Sequence, residues 1–515
     1  MNIPVLALGL GIGTLLLAVS MRVPGVADWH DAQRLWLGVL LLASACAAAG
    51  PAAHRTALLA AAARWGRATG TAILAALALG LVSAAGSGFV RLALLEVSTF
   101  ALLALLAVTV MVVRDRQPAR FDRWMLGAIA LAAACTVVPF LVAWTAAVTS
   151  SAGYVAAEIW QQGFSNPRFL GQFQTLTLPL IAAACLASWL RGYRRAAAWA
   201  VLLGCWLLAL FTATRATWYA LLPAVVMVGL VMPRSVGRLL VPAGATLLIG
   251  VALGWLMFDV LPAWLAAAET GGVDAFAARV ANPWDLRLRD VLWWRALEVI
   301  REAPLLGAGP MGLALDASPV AAHPHSAPLQ LAAEWGLPAA AAFAAAAVLG
   351  TMRLLRGIRR GSVKAVAAGG PQRDQQALAT ALLIALCAAA IHAQVDGLLV
   401  MPVAQGLLAL LVGWAGSLHL EPAQPEPSRA SRASPALAVV SLALAGALLA
   451  GLLPELPRLK VRSEAREIAC PEMLWRPRVW VDGSYWDEAG PARRFTPLPP
   501  PPGCRPGTSV GAIPR

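Results

Sequence analysis

Long apolar runs separated by short polar loops extend over most of the chain. A helix of about 20 apolar residues crosses a bilayer, and thirteen runs of suitable length occur. The pattern therefore predicts an all-α, polytopic integral membrane protein with about 13 transmembrane helices. The first run has neither the charged start nor the cleavage site of a signal peptide, so we interpret it as a helix. The runs cover residues 3–20, 35–53, 69–88, 92–113, 124–148, 171–190, 196–213, 216–232, 239–258, 327–352, 377–395, 399–418 and 436–453.

Basic residues are concentrated in alternate loops, and this alternation predicts the orientation of the chain. One set of loops holds twenty Lys and Arg residues, whereas the short loops between them hold five. Loops rich in Lys and Arg remain in the cytoplasm. The N-terminus is therefore predicted to be cytoplasmic, with loop 259–325 and the Pro-rich tail 454–515 outside. Residues 1–258 hold the first nine predicted helices and residues 326–453 the last four.

The composition argues against several classes of protein. Of the residues, 59% are hydrophobic and 13% are charged, whereas a soluble domain has about 25% charged residues. A soluble enzyme, a disordered scaffold and a nucleic-acid-binding domain are therefore disfavoured. The basic loops account for the net charge of +14, so no nucleic-acid partner is expected. In the tail, Cys470 and Cys504 either form a disulfide in an oxidising compartment or remain free thiols.

Few polar residues occur near the predicted outer face, and Arg215 is one of them. It lies in a tight turn between runs 196–213 and 216–232. An arginine near hydrocarbon needs a partner or a ligand, and its planar guanidinium suits a phosphate. The alternative is an interfacial arginine whose side chain extends to the headgroups.

A second candidate lies in the long outer loop. Residues 285–301 have apolar positions at helical spacing, and Arg289 lies near the start of this stretch. We predict an amphipathic helix on the membrane surface. Its basic face either contacts anionic headgroups or docks a polyanionic lipid. The apolar positions are Trp293, Ala296, Leu297 and Ile300.

A glycine-rich stretch follows this predicted helix. Gly307, Gly309 and Gly312 form a G-x-G-x-x-G pattern. A dinucleotide site is not expected, because no βαβ unit surrounds the pattern and Pro310 interrupts it. The stretch is interpreted as a flexible turn.

Histidines precede the run that begins at residue 327. His323 and His325 are predicted to lie at a helix N-terminus, with the cap at Ser326 or Ala327 and Pro328 in the first turn. This end of a helix disfavours imidazolium, so a neutral histidine there accepts a proton near pH 7. Two histidines do not make a zinc site, and the alternative is an ordinary polar loop.

Two further polar positions complete the candidate set. Glu334 is an acidic residue at membrane depth, where ionisable groups are functional candidates, and Pro338 predicts a kink just after it. The turn between runs 377–395 and 399–418 adds His392 and Asp396. Residues from four separate stretches of the chain, in three outer loops, are therefore predicted to share one membrane face. They are Arg215, Arg289, His323, His325, His392 and Asp396.

The order of these motifs resembles the O-antigen ligase/polymerase superfamily. This group includes O-antigen ligases, Wzy-type polymerases and bacterial protein O-oligosaccharyltransferases. The resemblance covers about residues 212–400 and rests on the turn at Arg215, the Arg-x3-Trp and Pro-Leu-Leu-Gly-x-Gly stretches, the His-rich helix start and the late His-x3-Asp turn. Family members usually have Asn at the position of Ser326, and many have Gly at that of Ala339.

The resemblance implies an activity and roles for these residues. A glycan would pass from undecaprenyl diphosphate to an acceptor hydroxyl on the periplasmic face of the bacterial inner membrane, without metal or cofactor. Arg215 and Arg289 would bind the diphosphate, and His325 would be the catalytic residue at the acceptor. Lipid A core, a second glycan and a protein all remain open as acceptors, and membrane lipids surround the site. The supporting residues would be His323, Glu334, His392 and Asp396.

Two other classes of function compete with the transferase. A flippase or transporter for a lipid-linked glycan would need ionisable residues near the middle of the membrane and discontinuous helices. A non-catalytic assembly partner would need none of the polar residues for product formation. The apolar runs carry few charges and the polar set lies at one face, which favours the enzyme.

Overall fold

The computed structural model describes residues 13, 17–26, 28–149, 163–264, 289–315, 321–365, 370–420, 427–459 and 478–480. Within these ranges the chain is all-helical, and eleven helices are long and apolar enough to cross a membrane. The prediction of an all-α polytopic membrane protein is therefore confirmed. The total of thirteen helices stays a prediction, because most of run 3–20 lies outside the described residues. The topology and the domain limits also stay predictions. Cys470 and Cys504 lie outside them too.

The helices follow the apolar runs closely from residue 29 onward. They are α1 (Trp29–Ala49), α2 (Ala52–Ala63), α3 (Arg67–Ala85), α4 (Val90–Arg116), α5 (Pro118–Thr149), α6 (Pro167–Leu186), α7 (Tyr193–Thr212), α8 (Arg215–Val231), α9 (Pro233–Trp255), α10 (Leu261–Trp264), α11 (Arg289–Glu302), α12 (Gly312–Leu315), α13 (Ala327–Trp335), α14 (Leu337–Ala365), α15 (Gly370–His392), α16 (Pro402–His419) and α17 (Pro427–Leu452).

Two helices depart from a simple pattern of one span per run. α8 has 17 residues and is shorter than each of the eleven helices that are long enough to cross a membrane. α2 was not predicted, because its 12 Ala-rich residues are too few to cross a bilayer and lie in a loop by the charge pattern.

The prediction of one helix over run 327–352 was wrong. The helix breaks at Gly336, which has a φ of 88°, and only Leu337–Ile358 is a candidate span. Pro338 follows directly, so its missing N–H leaves the carbonyl of Glu334 without a helical partner. That carbonyl instead accepts a hydrogen bond from Gly309 N at 2.9 Å. The short helix α13 is therefore separate from the membrane-spanning α14.

The glycine-rich stretch is a turn, as predicted, but it is packed tightly and is not a flexible link. Ala308 N donates to Ala333 O at 2.8 Å, and Leu337 N donates to Pro304 O at 2.9 Å. Gly307 and Gly309 have φ values of 67° and 97°, which favour glycine. The turn thus supplies the hydrogen bonds that the broken helix lacks.

The predicted surface helix exists as α11, but of its four predicted apolar positions only Ala296 is buried. Leu292, Ala296 and Val299 are buried, whereas Leu297 is exposed. The inward face packs on Ala308 and on neighbours from α12 and α13. Contact with these neighbours, which the periodicity alone does not reveal, decides the register.

α6 is the central helix of the part that carries the candidate residues. Of its apolar stretch, 94% is buried, and the helix packs against α7, α8 and α15. α8 approaches it at Gly171, where a Cβ atom would lie 2.7 Å from Thr217 Oγ1. Because glycine permits this approach, the starts of α6 and α8 meet at one end of the helix group.

Candidate functional site

His325 lies directly before α13 in an uncommon backbone conformation. Ser326, one of the two predicted positions, is the N-cap residue, and His325 has a φ of 50°. Few residues other than glycine adopt this left-handed conformation, and such strain persists only where surrounding contacts impose it. Two contacts impose it here. His325 N donates to His323 Nδ1 at 3.2 Å, and Ala327 N donates to Ala393 O at 2.8 Å.

Asp396 joins two histidines from different parts of the chain. Its Oδ1 lies 3.2 Å from His325 Nδ1, and its Oδ2 lies 3.4 Å from His392 Nε2. Oδ1 also accepts a hydrogen bond from Gly397 N at 2.8 Å. A carboxylate only accepts hydrogen bonds, so the proton on the His325 ring lies on Nδ1. The other ring nitrogen, Nε2, is then able to accept a proton.

The side chains of this group are buried to different degrees. The exposed fraction is 13% for His325, 3% for Asp396 and 1% for His392. His325 is therefore the most exposed member of the group. Asp396 and His392 lie behind it and hold its orientation.

α6 contributes a residue that the sequence analysis did not identify. Thr175 Oγ1 lies 2.8 Å from His392 Nδ1 and is fully buried. A polar signal was present, because Gln172, Gln174 and Thr177 also lie within the apolar run and are buried. Polar residues inside a membrane helix are functional candidates. The contact itself required the fold, since the two residues lie far apart in sequence.

The turn with Arg215 meets the same end of α6. The carbonyl of Gly171 accepts hydrogen bonds from Thr217 Oγ1 and Thr175 Oγ1, both at 2.9 Å. Thr217 is in the first turn of α8, which Arg215 begins, and Thr175 contacts His392. One carbonyl group thus connects the Arg215 turn with the histidine group. Arg215 itself is half-buried.

Arg289 and α11 lie over the same group. Arg289 Nε donates to Val395 O at 3.0 Å, next to Asp396. One turn later, Trp293 Nε1 donates to Pro324 O at 3.1 Å, between the two histidines. α11 therefore contacts both turns that carry the candidate residues. The structure thus brings together Arg289, the loop that carries His325 and the turn that carries Asp396.

The charges around His325 favour its neutral form. Burial lowers the pKa of His325, nearby Arg168 and Arg289 lower it further, and Asp396 opposes them. Burial raises the pKa of the Asp396 carboxyl, but hydrogen bonds from His325 and His392 outweigh that effect and hold the pKa well below its usual range. Near pH 7, Asp396 is a carboxylate and His325 is a neutral acceptor. The prediction of a neutral histidine is supported, although burial is the main cause.

Arg168 is a further cation at this site. It lies in the first turn of α6 and is half-buried. Its charge lowers the pKa of both His323 and His325. Across the described ranges its guanidinium has no ion pair with a carboxylate. The sequence analysis treated Arg168 only as one of the few basic residues in the outer loops.

His323 supports His325 by packing. The two rings are 4.3 Å apart in an edge-to-face arrangement, and a Cβ atom at Gly397 would overlap the His323 ring. Burial lowers the pKa of His323 well below its usual value. His323 is therefore a neutral, buried neighbour of His325.

Glu334 does not join this group. Its Oε1 accepts a hydrogen bond from Leu313 N at 3.0 Å, and its Oε2 pairs with Arg478 from the tail. Burial and nearby Glu96 raise the pKa of Glu334 to about 7, although Arg478 opposes them. Its expected support of the site can only be indirect, through α13.

Comparison with known proteins bears on the same region. Residues 198–344 match the family model described as O-antigen ligase. A search of curated proteins finds no match. The matched segment contains Arg215, Arg289 and His325, whereas His392 and Asp396 follow it. The match confirms the resemblance of this chain to the O-antigen ligase/polymerase superfamily, through a domain at residues 198–344.

Proposed function

We propose that this protein is a membrane glycosyltransferase of the O-antigen ligase or polymerase type. It transfers a glycan from undecaprenyl diphosphate to an acceptor hydroxyl on the periplasmic face of the bacterial inner membrane. The observation that carries the proposal is the His325–Asp396–His392 group, with Arg168 and Arg289 near His325. The family match over residues 198–344 supports the same reaction class.

His325 acts at the acceptor. Its Nε2 takes the proton of the acceptor hydroxyl while the hydroxyl oxygen attacks the anomeric carbon of the donor glycan. The resulting imidazolium is stabilised by Asp396, whose carboxylate holds Nδ1–H and fixes the ring orientation. This is the role that a buried aspartate has beside a catalytic histidine in serine hydrolases. The proton then leaves to solvent.

The arginines act at the donor. As the new glycosidic bond forms, the bond between the anomeric carbon and the diphosphate oxygen breaks, and the diphosphate keeps the electron pair. Arg215 and Arg289 bind it through charge-assisted hydrogen bonds. Because diphosphate is a stable anion held by fixed positive charge, the step needs neither a general acid nor a metal ion. Inversion at the anomeric carbon is what the resemblance implies.

The acceptor distinguishes the members of this class. Lipid A core, a second lipid-linked glycan and a protein hydroxyl are the three candidates, and the protein acceptor would make the enzyme an O-oligosaccharyltransferase. The flippase alternative is weaker, because the grouped histidines, aspartate and arginines lie at the ends of helices and in turns. A transporter instead needs such residues at the bilayer midplane.

The test is glycan transfer by the purified full chain in lipid vesicles. The donor is a synthetic undecaprenyl-diphosphate glycan, offered with lipid A core, with a second donor or with a serine peptide. His325→Ala is expected to abolish the product that the unaltered chain forms. His54→Ala is the matched control, because His54 is also buried but lies on α2. Equal product from both variants would reject the proposal.

A further inference from the structure

A short piece of the C-terminal tail is buried inside the helical domain. Arg478, Val479 and Trp480 are 2%, 7% and 0% exposed. Arg34 on α1 donates to the carbonyls of Arg478 and Val479 at 2.9 and 3.2 Å. The piece lies about twenty residues beyond the end of α17 and its following turn. The tail therefore returns to the domain and places a charged side chain in its interior.

Arg478 lies between two buried carboxylates. Its Nη2 lies 2.6 Å from Glu96 Oε2 and also pairs with Glu334 Oε2. The amide oxygen of Gln330, in the orientation that satisfies its surroundings, accepts from Nη1 at 2.9 Å. Removing a guanidinium from such a place leaves carboxylates buried without a partner, which is strongly unfavourable. Arg478 is thus required for the local arrangement of α4 and α13.

The same side chain connects the tail with the histidine loop. Glu334 and Gln330 lie on α13, the helix that His325 precedes. At the other end of that helix, Nη1 of Arg478 lies 3.5 Å from the carbonyl of Ala322, next to His323. α13 has nine residues, a length of about 13 Å. A single guanidinium therefore contacts the helix and the loop before it.

Stability alone is a weak explanation for this arrangement. Replacing a buried ion pair with apolar residues of similar volume is often neutral or stabilising. An apolar core would not fix the orientation of the groups around it. A guanidinium does so, because it forms several hydrogen bonds in one plane. The backbone of His325 is held in a left-handed conformation, and this conformation requires that its neighbours be fixed.

We propose that Arg478 is a positioning residue for the transfer reaction. From the tail, it fixes α13 through Glu334 and the loop through Ala322, and so holds His325 against Asp396. The inference rests on the proposed function, since it assigns the positioning of the same catalytic histidine. It also makes the tail a part of the active site's support.

The test compares variants of the full chain in the vesicle transfer assay. Arg478→Met is expected to lower kcat about 100-fold, because a displacement of about 1 Å in a reacting group has an effect of that size. The KM for the donor is expected to change less than about twofold, since Arg215 and Arg289 supply the donor's binding energy in the ground state as well as in the transition state. Arg478→Lys keeps the charge without the planar fork, and its kcat is expected to be about tenfold higher than that of Arg478→Met.

Two further variants separate positioning from folding. The triple variant R478M/E96Q/E334Q removes all three charges, so it is expected to fold and still to have a low kcat. Arg114→Met is the matched control, because Arg114 is also buried and paired, with Asp122 at 2.8 Å. It lies 18 residues along α4 from Glu96, about 27 Å away. Its folded fraction is expected to keep a normal kcat.

The outcomes distinguish the two proposals. A normal kcat in the folded triple variant, or a loss in R478M that matches its loss of folded protein, would overturn the positioning role. Retained transfer in His325→Ala would instead reject the proposed function. A low kcat in R478M and in the triple variant, with an unchanged donor KM and partial recovery by lysine, would support the positioning role.

Discussion

Replacing Asp396 with Asn tests the group around His325 with the smallest change in shape. The carboxylate accepts from His325 Nδ1 at 3.2 Å, His392 Nε2 at 3.4 Å and Gly397 N at 2.8 Å. An amide is neutral, and its oxygen is expected to take the place of Oδ1, where Gly397 N and His325 Nδ1 both donate, so that its NH2 group faces His392 Nε2. The carboxylate charge that stabilises the imidazolium formed at His325 is then lost.

The expected loss follows from the geometry. The equivalent change in a serine protease lowers kcat about 10⁴-fold. The two contacts between histidine and Asp396 are longer than a strong charge-assisted hydrogen bond of about 2.8 Å, so a smaller loss is expected. We predict a decrease in kcat of about 10² to 10³-fold, which corresponds to roughly 2.7 to 4 kcal/mol.

The pH dependence supplies a second, independent readout. Transfer requires neutral His325, so kcat/KM rises with pH through the His325 pKa and then stays constant. Burial lowers this pKa and Asp396 raises it. The rising limb is therefore expected below about pH 6.5, the ordinary value for histidine. In Asp396→Asn the limb moves to still lower pH, because the raising charge is lost.

The assay is the vesicle transfer reaction from pH 5 to 8 at saturating donor with varied acceptor, which gives kcat and also kcat/KM for the acceptor. Asp122→Asn is the matched control, because Asp122 accepts hydrogen bonds from Arg114 and Trp414 and does not contact the histidine group. A loss of less than about threefold in Asp396→Asn, well below the effect of one catalytic hydrogen bond, would refute the role of Asp396. A limb that moves to higher pH would refute the electrostatic argument.

Three other predictions follow from the same site. Arg289→Lys keeps the charge but not the planar fork, and is expected to weaken donor binding about tenfold in a titration of labelled donor, as is Arg215→Lys; equal affinity would exclude a phosphate contact. Arg168→Ala removes a charge that lowers the His325 pKa, so the rising limb of kcat/KM is expected to move to higher pH, and no movement would place Arg168 outside the site. Burial depresses the pKa of His323 and His325 in the folded protein. Below about pH 6.5 the unfolded chain therefore binds more protons than the folded protein, and Tm is expected to fall. His323→Gln should reduce this fall, and an unchanged pH dependence of Tm would contradict the burial argument.

The sequence was sufficient for the helices and for the outline of the site. Apolar length predicts spans because every backbone group in lipid needs a partner within its own helix. Polar residues stand out in such a chain, so Arg215, His325 and Asp396 were recognised from their rarity at one face. The break at Gly336 was partly visible, since Pro338 predicted a kink but not a separate helix.

What the sequence could not supply depends on contacts between distant residues. Thr175 faces His392 because α6 packs against α15, and no local pattern specifies that pairing. Arg478 was not singled out, because nothing in the tail indicates that it returns to Glu96. The buried positions of α11 were only partly predicted for the same reason, since its neighbours and not its periodicity determine which residues are covered.

The most direct measurement for the central claim is the position of a bound donor. A cryo-EM structure of the full chain in vesicle lipid with an undecaprenyl-diphosphate glycan would show where the phosphates lie. The account predicts that they contact the guanidinium groups of Arg215 and Arg289, with the anomeric carbon facing Nε2 of His325. Phosphates bound at another face of the protein, away from both arginines, would contradict it.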